Sequence, residues 1–329
     1  MQASYVIVIV LGIIALMLSI FFHRTRRVLN SLDLKLQSTQ KSVDNLANSN
    51  SEMAEIGRSG LVAWREFLFR ENPRVQALIS DLRLDSSDPP EISYSIEKAI
   101  KNIELRKKVS ASSNIAICSV AIGPGYGNRV RACLDSHRRF AETNGFSYFL
   151  LEERPLFFER PPSWAKIPII LKLLLDGYVN ILYIDADALI TNMNSDIVEQ
   201  FARLDRSKKP ILLTEDDAGA NLGILFVKNI PSARRILDLI WLYDADIENG
   251  TWEQKSLITL MEWFSEVRRN IEIEPNQKLF NSFPMERASF HAMSGKGNWS
   301  AGDFICHFSG IRSPHLEELI EKYEDAKRC

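Results

Sequence analysis

Short apolar runs alternate with amphipathic segments in the middle of the chain. Residues 115–122, 146–151 and 179–184 are apolar runs of strand length, and residues 129–144 and 167–176 have the spacing of helices. Strands that are apolar throughout are buried on both faces, as in a parallel sheet covered by helices. The pattern therefore predicts an α/β fold with a mainly parallel sheet flanked by helices.

The alternation continues towards the C-terminus. Residues 211–214 and 222–227 are predicted to be strands, and residues 231–243 and 251–269 amphipathic helices. Helical spacing also extends over residues 61–109, before the first predicted strand. The sheet is therefore expected to contain the strands at 211–214 and 222–227 as well as the three earlier ones, and a helical region is expected to precede it.

The N-terminal part of the chain has a different character. Residues 5–22 form an almost unbroken apolar run without a charge, long enough to cross a bilayer as a helix. Because no basic n-region or cleavage site accompanies this run, we interpret it as an uncleaved anchor. Arg24, Arg26 and Arg27 follow it and no basic side chain precedes it. The positive-inside rule then predicts a single-pass membrane protein with its C-terminal bulk in the cytosol.

The opposite orientation is the alternative. Triplets beginning at Asn249 and Asn298 have the N-glycosylation pattern, which would be used only if this part of the chain lay in a lumen, such as that of the Golgi. Such triplets also arise by chance. The prediction of a cytosolic domain rests on the three arginines alone.

The region between the apolar run and the α/β pattern is predicted to be a stalk. Apolar residues from Leu29 to Met53 follow alternating steps of three and four, as in a short coiled coil that would pair two copies of the chain as a homodimer. Because Thr39 and Asn50 weaken this seam, a monomeric or partly disordered linker is an equal alternative. The predicted domains are an anchor at 1–23, a stalk at 24–60, a helical linker region at 61–110 and an α/β domain at 111–329.

The composition excludes some classes of function. The 329 residues carry a formal net charge of −2, so the chain has no basic footprint and no nucleic-acid partner is expected. Its four cysteines show no paired metal-ligand spacing and are too few to indicate a disulfide framework. This cysteine usage favours a reducing compartment.

Two carboxylates follow the apolar run at 179–184. Asp185 and Asp187, separated by Ala186, lie where that strand would end. Ligands of open α/β sheets bind beyond the carboxyl ends of strands, and buried carboxylates are costly unless they are paired or hold a cation. Two such ligands can hold Mg²⁺ or Mn²⁺ and leave positions free for a diphosphate, which suggests nucleotide-sugar chemistry. For an isolated Asp-x-Asp triplet, a helix or turn cap is the alternative.

A second candidate segment lies near the C-terminus. His307 ends an apolar run, and Gly310 and Arg312 follow it. An imidazole joining two carboxylates would shift metal preference from Mg²⁺ towards Mn²⁺. Gly310 would let the backbone approach a phosphate, and Arg312 could bind that phosphate as a fixed cation. The alternative for His307 is a satisfied core histidine.

The helix predicted at 251–269 begins with two polar candidates, Glu253 and Gln254. Thr251 and Gln254 also fit a capping box, which would give Gln254 a purely structural role. A role in the site and a role as a helix cap are therefore both open.

Taken together, these segments resemble glycosyltransferase family 34, which contains galactosyl, mannosyl and xylosyl transferases. The resemblance covers roughly residues 114–312 and rests on the order and spacing of short motifs. These motifs are WAKIP at 164–168, YIDADALI at 183–190, NLG at 221–223, WEQ at 252–254, NSFP at 281–284 and GDFICHFSG at 302–310. The family implies a GT-A fold, a nucleotide-sugar donor, a glycan or other hydroxyl acceptor, Mn²⁺ and retention of anomeric configuration.

The resemblance also implies roles for individual residues. Asp185, Asp187 and His307 would hold the metal, which is Mn²⁺ with Mg²⁺ as the alternative. The diphosphate of the donor would be met by Gly310 and Arg312.

Other roles concern the donor sugar and the acceptor. Lys166 would meet the donor phosphate or sugar, and Ala186 belongs to the same cofactor-binding segment. Asn221, Glu253 and Gln254 would line the donor sugar and the acceptor site. Since no carboxylate nucleophile can be placed, the family suggests front-face attack by the acceptor, guided by Gln254 and the leaving phosphate.

The donor remains open between a UDP- and a GDP-sugar and between a hexose and a pentose. Leu222 replaces a small polar residue that is expected in the family pattern, and Glu253 stands where an aspartate is usual. Two other classes compete with this interpretation. A metal-dependent nucleotidyltransferase would use paired aspartates without needing the segment 307–310, and an inactive membrane scaffold would not need the metal ligands intact.

Overall fold

The structure is a computed structural model, and it describes residues 63–88, 90–156, 158–243, 247, 252–287, 297–312 and 314–326. The anchor predicted at 5–22 and the stalk predicted at 24–60 lie outside these residues. None of the described helices is long and apolar enough to cross a membrane. The chain divides into two compact units, Met1–Asn72 and Pro73–Cys329. Residues 73–110 therefore pack in the same unit as the predicted α/β domain.

Helices and strands alternate through the second unit. Its described helices are α1 (Pro73–Arg83), α2 (Tyr94–Lys101), α3 (Tyr126–Arg129), α4 (Arg131–Asn144), α5 (Lys166–Leu175), α6 (Ile197–Ser207), α7 (Pro231–Leu242), α8 (Trp252–Trp263), α9 (Ser265–Arg269) and α10 (His315–Ala326). Its described strands are β1 (Arg106–Val109), β2 (Ile115–Val120), β3 (Ser147–Leu151), β4 (Asn180–Ile184), β5 (Ala188–Ile190), β6 (Ile211–Asp216), β7 (Gly219–Lys228), β8 (Ile271–Glu274) and β9 (Ile305–His307).

A seven-stranded sheet with the order β1-β3-β2-β4-β7-β6-β8 forms the centre of the unit. Strands β2, β3, β4, β6 and β8 run in one direction, whereas β1 and β7 run in the other. The prediction of a mixed α/β fold with a mostly parallel sheet is confirmed. Strand β7 reverses because only two residues, 217 and 218, join it to β6, and so short a connection permits only an antiparallel pair.

Helix α5 shows how local sequence places the site. Its sequence KIPIILKLLL is apolar nearly all round, and its isoleucine and leucine side chains are buried, except for the exposed Leu175. Each fully buried side chain of this kind stabilises the fold by about 1.5–3 kcal/mol. Gly177, with φ of +97°, adopts the left-handed conformation that lets the chain turn from α5 into β4. The helix thus delivers β4 to the middle of the sheet.

A small second sheet connects the two segments that carry the candidate metal ligands. Strands β5 and β9 pair antiparallel, with Ala188 opposite His307 and Ile190 opposite Ile305. The N–H of Phe308 also donates to the carbonyl oxygen of Asp187 at 2.9 Å. The sheet brings His307 beside the residues that follow β4, although more than a hundred positions separate them in the sequence.

Two predicted elements differ in the structure. The single helix expected at 251–269 is two helices, α8 and α9, because Phe264 between them is extended, with φ of −125° and ψ of 106°. The helical spacing of residues 61–109 ends before Arg106, since residues 106–109 form β1, the edge strand of the sheet, which pairs with β3. Lys108 forms an ion pair with Glu152 at 2.8 Å across this pairing. Pairing with the sheet edge here outweighs the helical pattern.

Candidate active site

The two carboxylates lie at the carboxyl end of β4, held by backbone hydrogen bonds. The N–H of Asp185 donates to the carbonyl oxygen of Gly223 on β7 at 2.8 Å, and the N–H of Ala188 closes a turn on the carbonyl oxygen of Asp185 at 3.1 Å. Ala186, between them, has its side chain in the core. The main chain of this turn is therefore fixed to β7 on one side and to β9 on the other.

Asp185, Asp187 and His307 form a cluster of candidate metal ligands. One ligand atom of each lies within 4.8 Å of the others. The Nε2 atom of His307 is 3.6 Å from Asp187 Oδ1 and 3.8 Å from Asp185 Oδ2. The side chains of Asp185 and Asp187 are 27% and 18% exposed, whereas that of His307 is 2% exposed. Two accessible carboxylates and a buried imidazole are a donor set that fits a divalent cation.

Asp185 is oriented by two donors to one of its oxygens. Lys166 Nζ lies 3.2 Å from Asp185 Oδ1, and the hydroxyl of Tyr183 donates to the same oxygen at 2.6 Å. Its other oxygen, Oδ2, faces His307. Tyr183 was not predicted to be a site residue, although its position two residues before Asp185 in a strand places both on the same face.

The ammonium group of Lys166 is fully engaged within the protein. Besides Asp185, it contacts Glu253 Oε1 at 2.7 Å and donates to the carbonyl oxygen of Leu222 at 3.1 Å. An ammonium group has three hydrogens, and these three acceptors account for them. Lys166 is buried and holds two carboxylates together, so it has no hydrogen left for a phosphate in this arrangement.

The electrostatics of the cluster are those of crowded acidic groups. Burial raises the pKa of Asp185, with the charge of Asp187 adding to this rise and that of Lys166 opposing it. Although burial acts to raise the pKa of Asp187, the protonated form of His307 holds it below its usual value. Burial would lower the pKa of Lys166, but Asp185 and Glu253 together raise it. A bound cation would relieve the repulsion between the two aspartates.

Glu253 and Gln254 both contact the elements that carry the cluster. Glu253 is buried, and its Oε2 atom has no hydrogen-bond partner among the described residues. Gln254 Oε1 accepts a hydrogen bond from the N–H of Leu222 at 3.3 Å. Thr251 lies outside the described residues, so the capping box stays a prediction. The contact with Leu222 fixes the start of α8 to β7.

Asn221 is 2% exposed and lies inside a chain of buried amides. It contacts Asn281, whose Oδ1 atom lies 2.9 Å from His307 Nδ1. Asn281 belongs to the NSFP motif at 281–284, but it was not predicted to be a site residue. The structure thus places both asparagines on the Nδ1 side of His307.

The segment after β9 is exposed. Gly310 has φ of +79° in a turn closed by the hydrogen bond from Ile311 N–H to Phe308 O at 3.0 Å. Arg312 is exposed and makes no ion pair within the described part of the chain. Its cation is thus available to a ligand.

Tyr126 is a further residue near the cluster, and it was not among the site residues predicted from the sequence. It follows the glycine-rich loop at 123–125, after β2. Burial and then the charges of Asp187 and Asp185 raise its pKa, which places its hydroxyl within their field.

Comparison with known proteins agrees with this geometry. Residues 201–315 match the model of the galactosyl transferase GMA12/MNN10 family. Over 101 residues, the chain is 29% identical to a Schizosaccharomyces pombe protein named as an uncharacterized alpha-1,2-galactosyltransferase. That alignment covers 29% of this chain and 26% of the relative, so it spans about a quarter of the relative's length.

A solved structure shares the fold. The crystal structure of a glycosyltransferase involved in the glycosylation of the major capsid of PBCV-1 aligns with a TM-score of 0.50 at 18% identity. The alignment covers 63% of this chain and 98% of that chain. The mixed α/β fold with its mostly parallel sheet thus matches that of GT-A glycosyltransferases. The resemblance to glycosyltransferase family 34 is confirmed, since the family match covers the segment that carries Asn221, Glu253 and His307.

Proposed function

We propose that this chain is a metal-dependent glycosyltransferase that moves a sugar from a nucleotide-sugar donor to a hydroxyl group of a glycan or another acceptor. The observation that carries the proposal is the cluster of Asp185, Asp187 and His307 beyond the end of β4. In α/β sheets this is the position of ligands. The family match supports sugar transfer as the chemistry.

Asp185, Asp187 and His307 would hold Mn²⁺, with Mg²⁺ as the alternative. The bound cation would supply charge neutralisation at the diphosphate that leaves the donor sugar. Lys166 keeps Asp185 Oδ1 engaged, which leaves Asp185 Oδ2 on the side of the cluster. We therefore propose that Lys166 organises the carboxylates, rather than contacting the phosphate directly as the resemblance implied.

The diphosphate itself would be bound by the segment after β9. Arg312 offers a permanent charge that no described residue neutralises, and an arginine can bind phosphate with two parallel hydrogen bonds. Gly310 leaves room for the phosphate to approach its backbone. Both residues would stabilise the charge that develops as the donor bond breaks.

Gln254 and Glu253 would lie at the sugar and the acceptor. The side-chain oxygen of Gln254 accepts a hydrogen bond from Leu222 N–H. Its amide nitrogen makes no hydrogen bond to another described residue, so this nitrogen can donate to a substrate hydroxyl. Retention of anomeric configuration by front-face attack, with the leaving phosphate accepting the proton of the acceptor hydroxyl, is the mechanism that we propose. The donor is a UDP- or GDP-linked hexose or pentose.

A donor screen tests the proposal. The purified full chain is incubated with UDP- and GDP-sugars and Mn²⁺, and release of the nucleoside diphosphate is measured. Calorimetry with the nucleoside diphosphate alone is expected to show binding with Mn²⁺ and none with EDTA, since the aspartates and phosphates otherwise repel each other. Equal affinity in both solutions would refute the metal bridge. Pyrophosphate release from a nucleoside triphosphate would favour a nucleotidyltransferase.

A matched pair of variants sharpens this test. Asp187→Asn should abolish Mn²⁺-dependent binding, because it removes a charged ligand. Asp196→Asn removes the same charge from an exposed aspartate that caps α6, and asparagine caps a helix equally well. It should therefore bind as the unaltered protein does. Loss of binding in both variants would contradict a specific role for Asp187.

We further propose that residues 5–22 anchor the chain in a membrane, with the catalytic domain in the cytosol. The support is the apolar run and the arginines that follow it. The stalk at 24–60 would hold the site away from the bilayer and could pair two chains. Protease added to sealed right-side-out vesicles should leave the domain intact. Its digestion, or glycans on Asn249 or Asn298, would place it in a lumen such as that of the Golgi.

A further inference from the structure

We infer that Asn281 is a positioning residue that fixes the tautomer of His307, so that the Nε2 lone pair faces the carboxylates of Asp185 and Asp187. The inference rests on the proposed function only for its consequence, which is cation binding. Its physical basis is a chain of buried hydrogen bonds. The donor and the acceptor of each bond can be assigned in turn, starting from the groups that contact Asn221.

The series of hydrogen bonds begins at the backbone of β7. The N–H of Gly223 can only donate, and it lies 2.9 Å from the side-chain atom of Asn221 that is therefore the oxygen. The other atom, Nδ2, then donates to Asp216 Oδ2 at 2.8 Å. Because a carboxylate oxygen can only accept here, the second contact requires the same orientation. Two independent partners thus fix the amide of Asn221.

Asn281 is oriented in turn by Asn221. Asn221 Oδ1 is an acceptor, so the Asn281 atom 3.1 Å from it must be the nitrogen. This Nδ2 also donates to Thr214 Oγ1 at 2.9 Å. The remaining atom, Oδ1, can only accept, and it lies 2.9 Å from His307 Nδ1. The contact therefore requires a hydrogen on Nδ1.

The consequence for His307 follows from the chemistry of imidazole. With its hydrogen on Nδ1, the neutral ring has its lone pair on Nε2, which is the atom that faces the two aspartates. The four side chains of Thr214, Asn221, Asn281 and His307 are all buried, so water does not compete for these bonds. A neutral imidazole with this tautomer presents a lone pair beside two anions, an arrangement that a cation stabilises.

Nitrogen NMR tests the inference directly. The metal-free full chain is labelled with ¹⁵N in its histidine rings and studied at pH about 9, where an ordinary imidazole is neutral. The signals of His307 are identified from their loss in His307→Gln. We expect coupling patterns that place the hydrogen on Nδ1. A hydrogen on Nε2 in the unaltered protein would overturn the inference.

Two variants separate positioning from packing. Asn281→Ala removes the acceptor at Nδ1 and should release the tautomer and weaken Mn²⁺ binding by about 10- to 100-fold. Thr214→Val removes another buried hydrogen bond of Asn281. The amide of Asn281 should still keep its orientation, because a flip would place its oxygen against Asn221 Oδ1. The tautomer should therefore stay fixed, with Mn²⁺ affinity unchanged.

The outcomes distinguish this inference from the proposed function. If both variants lower the thermal midpoint and neither changes the tautomer, Asn281 is only structural and the inference fails. If the tautomer is as expected but the unaltered protein does not bind Mn²⁺, the metal-dependent function fails while the assignment of His307 stands. The spectrum of the unaltered protein is decisive even if Asn281→Ala does not fold.

Discussion

The close approach of β7 to His307 gives the sharpest prediction. A Cβ atom built on Gly223 would lie 2.2 Å from His307 Cε1 and 2.9 Å from its Nδ1. Carbon atoms in contact are ordinarily about 3.5–4.0 Å apart. In Gly223→Ala, either the imidazole or the strand must therefore move by more than about 1 Å. This displacement would occur at the ring that carries the proposed metal ligand.

The strand is the less movable of the two. Gly223 donates its N–H to Asn221, accepts a hydrogen bond from Asp185 N–H, and lies on β7 between β4 and β6. The imidazole should therefore give way. Overpacking of this kind costs about 1–3 kcal/mol of stability. Displacement of Nε2 should weaken Mn²⁺ binding by about 10- to 100-fold, which is about 1.4–2.8 kcal/mol of binding free energy.

Thermal unfolding and calorimetry with Mn²⁺ on the full chain measure the two effects. The thermal midpoint should fall by roughly 2–12 °C, from the stability loss given above. Gly127→Ala is the matched control, because no atom lies within 4 Å of its Cβ and its helical position tolerates alanine. A Gly223→Ala protein with unchanged Mn²⁺ affinity would refute the placement of His307 as a metal ligand.

Three further predictions concern charge and chemistry. Asp187→Ala should reduce Mn²⁺-dependent sugar transfer by at least about 10³-fold, whereas Gln254→Ala should lower kcat and leave donor affinity near normal, as steady-state kinetics and calorimetry would show. Lys166→Met should destabilise the fold by about 3–5 kcal/mol because it leaves Asp185 and Glu253 without their shared cation. Denaturant unfolding measures this loss of stability, and the double variant that also carries Glu253→Gln should recover part of it. Burial lowers the pKa of His137 from 6.5 to about 4, so the unfolded state binds more protons between these values, and stability should fall by up to about 3 kcal/mol as the pH drops through this window. His137→Gln should lose that pH dependence in unfolding measured at several pH values.

Signals confined to a few residues made the carboxyl end of β4 predictable. The apolar run before Asp185 identified a buried strand, and the structure ends it at Ile184. Helix α4 likewise ends at residue 144, where the helical spacing of residues 129–144 ends, and Gly145 after it has a φ of +70°, which glycine adopts without strain. These features depend on neighbours in the sequence, so one sequence was sufficient to place them.

The partners of Lys166 could not be predicted in this way. Its ion pair with Glu253 joins positions 87 residues apart, and no periodicity links α5 to the start of α8. A lysine in a motif near two aspartates suggests phosphate binding, because lysine is ordinarily exposed and mobile. Only the packed structure shows that its hydrogens are already used by Asp185, Glu253 and Leu222.

Two buried histidines show why burial alone did not settle the roles in the site. His137 and His307 are 0% and 1% exposed, and a histidine in an apolar segment is expected to be a core residue in either case. His137 Nε2 lies 2.6 Å from the carbonyl oxygen of Ala188, and its Nδ1 lies 3.0 Å from the hydroxyl of Ser119. Both nitrogens have neutral partners, and burial keeps this ring uncharged near neutral pH by lowering its pKa.

His307 has such a partner at only one nitrogen. Its Nδ1 meets Asn281, whereas its Nε2 faces two carboxylates at 3.6 and 3.8 Å. With its hydrogen on Nδ1, a neutral ring has only a lone pair at Nε2 and cannot pair with acceptors there, so that nitrogen needs either a proton or a metal ion. The difference between a structural histidine and a ligand therefore lies in the groups that the fold brings to the second nitrogen. Those groups come from the turn after β4, which no local pattern around His307 could reveal.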